Sequence, residues 1–62
     1  MPIVRIDMLE GRTIEQKEAM VEAVTDVIVE IAEVSREHVW VLIEDVKKDN
    51  WSVGGKLFSK MA

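Results

Sequence analysis

The chain has 62 residues, 48% of them apolar, no cysteine, one histidine (His38) and a formal net charge of −4. That length allows a single domain, residues 1–62, with a core too small to give much net stability. Without cysteine there is no disulfide or thiolate metal site, and a lone His38 argues against structural zinc, so no metal is expected. An acidic chain without a basic stripe is a poor nucleic-acid partner. No apolar run approaches the ~18 residues of a membrane span, and no basic-then-apolar leader opens the chain. The expectation is a cytoplasmic protein that buries its apolar surplus by self-association.

Pro2 stands directly behind Met1. An initiator methionine is removed when the next side chain is small, and the mature chain is then expected to begin at Pro2. Inside a chain a proline nitrogen is an inert amide without N–H. At the terminus it is a basic secondary amine, rigidly held in its ring.

Residues 2–8 alternate, with Val4, Ile6 and Met8 on one face and Ile3, Arg5 and Asp7 on the other, which predicts a strand. Leu9-Glu10-Gly11 ends it. Thr13 and Gln16 have the spacing of a capping box, so a helix is expected to start at Ile14. Its apolar stripe is Met20, Val24, Val27, Ile28 and Ile31, flanked by Val21, and the pattern fades at Glu33. Glu18, Glu22, Asp26 and Glu30 repeat every fourth residue on the opposite face, where like charges repel mildly. They form either a solvated face or one that meets basic residues of a neighbouring copy.

Ser35 begins a short connector. Val39-Trp40-Val41-Leu42-Ile43 has no polar alternation, which suits a strand covered on both faces. One helix covers one face, so another copy of the chain is expected on the second. Strand, helix and strand form a β-α-β unit with parallel strands. A polar turn at residues 47–50 leads to Trp51, and Gly54-Gly55 suggests a tight hairpin or a close backbone approach. Residues 56–62 read as a short tail. His38, Glu37, Glu44 and Asp45 do not have metal-ligand spacing.

Pro2 behind Met1, Leu9-Glu10-Gly11-Arg12 after the first strand, Glu15-Gln16-Lys17 opening the helix and Trp51 shortly before Gly54-Gly55 form one ordered set. Together, at this length, they resemble the 4-oxalocrotonate tautomerase family over essentially the whole chain. The resemblance implies an α+β fold, a β-α-β unit with a short C-terminal hairpin, assembled as a homohexamer (a trimer of dimers). It implies an isomerase, a keto–enol tautomerase of a small 2-hydroxy-dienoate or 2-oxo acid, working without a cofactor. Pro2 matches the family's catalytic base, Arg12 its carboxylate-binding arginine and Trp51 its aromatic wall. One position departs: Trp40 stands where well-characterised members carry a second arginine donated by a neighbouring subunit. That departure counts against the dicarboxylate 2-hydroxymuconate as the preferred substrate, and for weaker polarisation of the 2-keto oxygen.

The chemistry asks for an amine that is free near neutral pH yet basic enough to take a proton. Burial disfavours the protonated amine, and a nearby cation repels it. A guanidinium about 6 Å away, at an effective dielectric near 20, contributes roughly 3 kcal/mol. Arg12 can also hold a carboxylate with its planar fork. Two alternatives stay open from the residues: a proline-based hydratase or dehalogenase, and a β-α-β oligomerisation module without catalysis.

Overall fold

Seven residues of alternating sequence, Ile3–Leu9, form strand β1, and Trp40–Val46 form β2. The computed structural model describes residues 1–61. The strands are parallel, in a register running from Ile3 opposite Trp40 to Leu9 opposite Val46. The ladder is closed at both ends by backbone hydrogen bonds, Trp40 N–H to the Pro2 carbonyl and Glu10 N–H to the Val46 carbonyl, both 3.0 Å. Parallel strands need a crossover, and helix α1, Ile14–Ala32, supplies it.

The capping box forms as its spacing predicts. Gln16 N–H donates to the Thr13 hydroxyl at 3.1 Å, and Thr13 N–H donates to Gln16 Oε1 at 2.9 Å. At the other end Glu33 takes the left-handed conformation (φ 55) that closes many helices. Asp26 on α1 then accepts from Arg36 in the following turn at 2.6 Å, so one member of the acidic stripe meets a cation of its own chain.

The half-buried side of α1 is Lys17, Met20, Val21, Val24, Thr25, Ile28 and Val29, which differs from the predicted stripe. Val27 and Ile31 are 56% and 74% exposed. The reason is width. Two strands lie only about 4.8 Å apart, too narrow a sheet to cover the apolar arc of a helix. α1 packs more on β2 than on β1, and Val27 and Ile31 are left uncovered. Val27 joins Val4, Ala23, Val24 and Ile28 around an open apolar groove. Lys17 reaches past the stripe to an ion pair with Asp45 near the end of β2.

Residues 56–57 do not form part of a tail. Gly54 and Gly55 both have positive φ, 61 and 85, as a two-residue type I′ hairpin turn requires. That turn sends the chain straight back, pairing β3 (Ser52–Val53) with β4 (Lys56–Leu57). Below the hairpin the Phe58 N–H donates to the Trp51 carbonyl at 2.8 Å, and the two rings stand 6.5 Å apart, tilted by 58°.

Among the described residues no side chain is buried, polar or apolar. The shape explains it: the chain measures 43 × 24 × 13 Å, with a radius of gyration of 14.8 Å, against about 10.6 Å for a compact chain of this length. Its accessible surface is 4953 Å², where a compact protein of this mass exposes about 4,100 Å². The sheet face away from α1 carries Ile3, Trp40 and Leu42, each about half exposed. Thr13→Ala should destabilise the fold by about 1 kcal/mol through loss of the cap. Urea unfolding of both proteins at one fixed protein concentration measures this.

Candidate active site

A strand start holds Pro2. Its ring fixes φ, its carbonyl accepts from Trp40 N–H, and the residue is half-buried. The nitrogen is therefore held at the N-terminal edge of the sheet, acylated by Met1 in the full 62-residue chain. Removing Met1 converts this amide into an amine without disturbing the hydrogen bond that positions it.

Arg12 lies at the other end of the sheet. β1 finishes at Leu9, Gly11 turns the backbone at φ 124, and Arg12 precedes the helix cap Thr13. The side chain is exposed. Among the described residues the ion pairs are Lys17–Asp45 and Asp26–Arg36, so neither Glu10 nor Glu15 engages Arg12. The positive end of the α1 dipole adds to its potential. An anion arriving here meets a guanidinium with no competing carboxylate on it.

Trp51 belongs to the same end as Arg12. It follows the turn at Lys48–Asn50 beyond β2, and the bond from Glu10 N–H to the Val46 carbonyl ties the stems of the two segments together. Phe58 supports the Trp51 ring from across the hairpin. Residue spacing alone did not single out Phe58. The signal was available in the paired glycines, because a type I′ turn at 54–55 brings residues 51 and 58 together at the foot of the hairpin. Lys17, whose pairing with Asp45 clamps the first turn of α1 to the end of β2, had no comparable signal.

The structure thus brings Arg12 and Trp51 to one end and leaves Pro2 at the other. A seven-residue strand separates them, a span of about 23 Å at the usual rise of 3.3 Å per residue. No small molecule bridges that within one chain. Trp40 pairs with Ile3 in the ladder and is about half exposed on the sheet face away from α1. Among the described residues no cluster of three histidine, aspartate or glutamate side chains is placed to hold a metal ion, and no helix is long and apolar enough to cross a membrane.

Residues 2–61 match the family model described as tautomerase enzyme. The chain is 48% identical, over 61 residues and 98% of both chains, to a 2-hydroxymuconate tautomerase of Bacillus subtilis (strain 168). Among solved structures it is similar to YwhB, described as a homologue of 4-oxalocrotonate tautomerase, with a TM-score of 0.94 and 46% identity over 98% of this chain and 100% of that one. It is also similar to a heterohexameric 4-oxalocrotonate tautomerase of Chloroflexus aurantiacus J-10-fl, with a TM-score of 0.92 and 32% identity over 100% of both chains.

Proposed function

The chain belongs to the tautomerase family of enzymes, and on that premise we propose that it interconverts the enol and keto forms of a small 2-hydroxy-dienoate or related 2-oxo acid, with the amine of Pro2 as the general base. The observation that carries this reading is the Pro2 carbonyl anchored to Trp40 N–H, which leaves the ring nitrogen fixed at the sheet edge. In the reaction the Pro2 nitrogen takes the proton of the 2-hydroxyl as the C=O bond forms. The double bonds shift along the chain, and the same proton is delivered to a distant carbon. Atoms and electrons balance without water, metal or cofactor. Charge builds on the dienolate between the two transfers, and that is where a positioned cation acts.

The carboxylate anchor is Arg12 of a second copy. Both edges of the two-stranded sheet are open, and an open edge is a template for pairing with another strand. Antiparallel pairing of two β1 edges sets Pro2 of one copy beside the Arg12 and Trp51 end of the other. It also lays the Val4, Val27 and Ile28 groove of each copy against its mate. Arg12 then binds the substrate carboxylate, and Trp51, backed by Phe58, keeps the pocket dry. With Trp40 in place of a second arginine, Arg12 is the main anchor, which favours acids that do not depend on a second carboxylate. A homohexamer built as a trimer of dimers is the assembly we favour. It accords with the unburied apolar residues and with the hexameric relative. A hydratase or dehalogenase would want more cations around the amine. At the Pro2 end Arg36 is engaged by Asp26, so tautomerisation is preferred.

Protein that retains Met1 should lose tautomerase activity toward 2-hydroxymuconate and phenylenolpyruvate by about 10²- to 10⁴-fold, the usual contribution of a general base, with its assembly intact; equal turnover by the two forms would sink the reading. Arg12→Ala should raise KM for an acidic substrate roughly tenfold or more, the loss of a charge-assisted hydrogen bond, as steady-state kinetics will measure. Co-refolding Met1-retaining chains with Arg12→Ala chains should restore about a quarter of the native sites, because half of randomly formed two-fold pairs are mixed and each has one complete site. Titrating activity against mixing ratio checks this.

A further inference from the structure

Charge is distributed unevenly along the molecule. Beyond the Asp7–Glu44 pair of the ladder lie Arg12, Lys17, Lys47, Lys48, Lys56 and Lys60, six of the eight cations of the chain. Of the twelve acids only Glu10, Glu15, Asp45 and Asp49 belong to this end. Six cations against four anions leave an excess of two positive charges, on a chain whose net charge is −4. The exposed side of α1, with Glu18, Glu22 and Glu30, carries the opposite sign.

Four of the lysines are grouped at the hairpin. Lys47 follows Val46, whose carbonyl accepts from Glu10 N–H at the root of the Arg12 loop. Lys48 opens the turn Lys48–Asn50, which packs on β4, where Lys56 lies, and on the turn Phe58–Lys60. Trp51 leaves the first of these turns and Phe58 begins the second. All four lysines are exposed, and among the described residues none has an ion-pair partner. Like charges gathered in this way repel one another and do not stabilise the fold. Lysine is a hydrated point charge on a flexible stem, suited to setting a potential, whereas Arg12 has the planar fork that grips a carboxylate.

We propose that Lys47, Lys48, Lys56 and Lys60 form a charged collar that draws an anionic substrate toward Arg12 and Trp51 without touching the reacting atoms. The inference rests on the tautomerase reading for the substrate, a small carboxylic acid. A chain of net charge −4 repels such an acid over most of its surface, and the collar reverses the sign where the acid has to bind. One charge roughly 10 Å from an anion in water attracts it weakly, but four act together. At about 10 mM salt they raise the local concentration of a monoanion about sevenfold and that of a dianion about fiftyfold. In ~1 M salt the Debye length falls to about 3 Å and the effect vanishes. Arg12 acts by contact, so its own contribution outlasts the salt.

The test replaces all four lysines by glutamine and, in a second variant, by arginine. In a Trp40→Phe background Trp51 is the only tryptophan, so its fluorescence reports the local potential without turnover. At ~0.1 M salt the glutamine variant should lose about threefold in quenching by iodide relative to neutral acrylamide, and caesium should quench it more. The arginine variant should match the native collar. Should the glutamine variant fold poorly, the native collar is read alone: inert salt should weaken iodide quenching of Trp51 and leave acrylamide quenching unchanged. With substrate at ~10 mM salt, the glutamine variant should lose about sevenfold in kcat/KM for phenylenolpyruvate and about fiftyfold for 2-hydroxymuconate. That loss should be confined to KM and disappear in ~1 M salt. The proposal is overturned if the glutamine variant keeps the native iodide response, if inert salt leaves native iodide quenching unchanged, or if the loss in kcat/KM is equal at both salt concentrations. Quenching decides the collar and native turnover decides the catalytic reading, so the two fail separately.

Discussion

A helix laid on two strands makes a body only 13 Å across in its shortest direction, and that thinness is the constraint on which the rest depends. Two layers can shield one face of a sheet and one stripe of a helix, but each has a second side. Here the second sides are apolar: Val27 and Ile31 on α1, and Ile3, Trp40 and Leu42 on the sheet. A longer chain would fold another layer over them. Among the described residues no further layer covers them, and in the proposed assembly a second molecule does.

The same constraint shapes the chemistry. A β-α-β unit puts the start of β1 and the loop after it at opposite ends of a strand, so the Pro2 nitrogen and the Arg12 guanidinium cannot serve one small substrate within one chain. In the proposed assembly they meet across a two-fold contact, and the apolar surface that drives association also brings base and anchor together. Catalysis and association then share one free energy. The arrangement further explains why so little within the single chain competes for Arg12. Its exposed side chain is uncommitted among the described residues, as the proposed carboxylate-binding role requires.

Rigidity at the site comes from small, local devices. The capping box at Thr13 and Gln16 fixes where α1 starts and hence where the Arg12 loop ends. The Lys17–Asp45 pair holds that start against β2, and Phe58 stands beside the Trp51 ring. An exposed ion pair contributes little stability, typically 0–1 kcal/mol. Its value here is geometric, since it joins the two segments that carry Arg12 and Trp51.

Much of this was legible from residue order. The alternation at residues 2–8 and the Thr13-to-Gln16 spacing each specify local backbone conformation and each produced the element expected of it, and the paired glycines formed the hairpin, one of their two readings. The Met1-Pro2 start and the tautomerase-like motifs were equally plain, because they are identities of neighbouring residues. What residue order could not supply was distance. Periodicity says that Val27 and Ile31 share a stripe with Val24, but only the narrow sheet beneath α1 decides that they stay uncovered. A list of motifs places Pro2, Arg12 and Trp51 in one set, but only the parallel strand shows that about 23 Å separates the first from the other two. Local chemistry determined the elements and the candidate groups. The tertiary structure decided which of them meet, because that depends on the length of a strand and the width of a sheet, which no short stretch of sequence records.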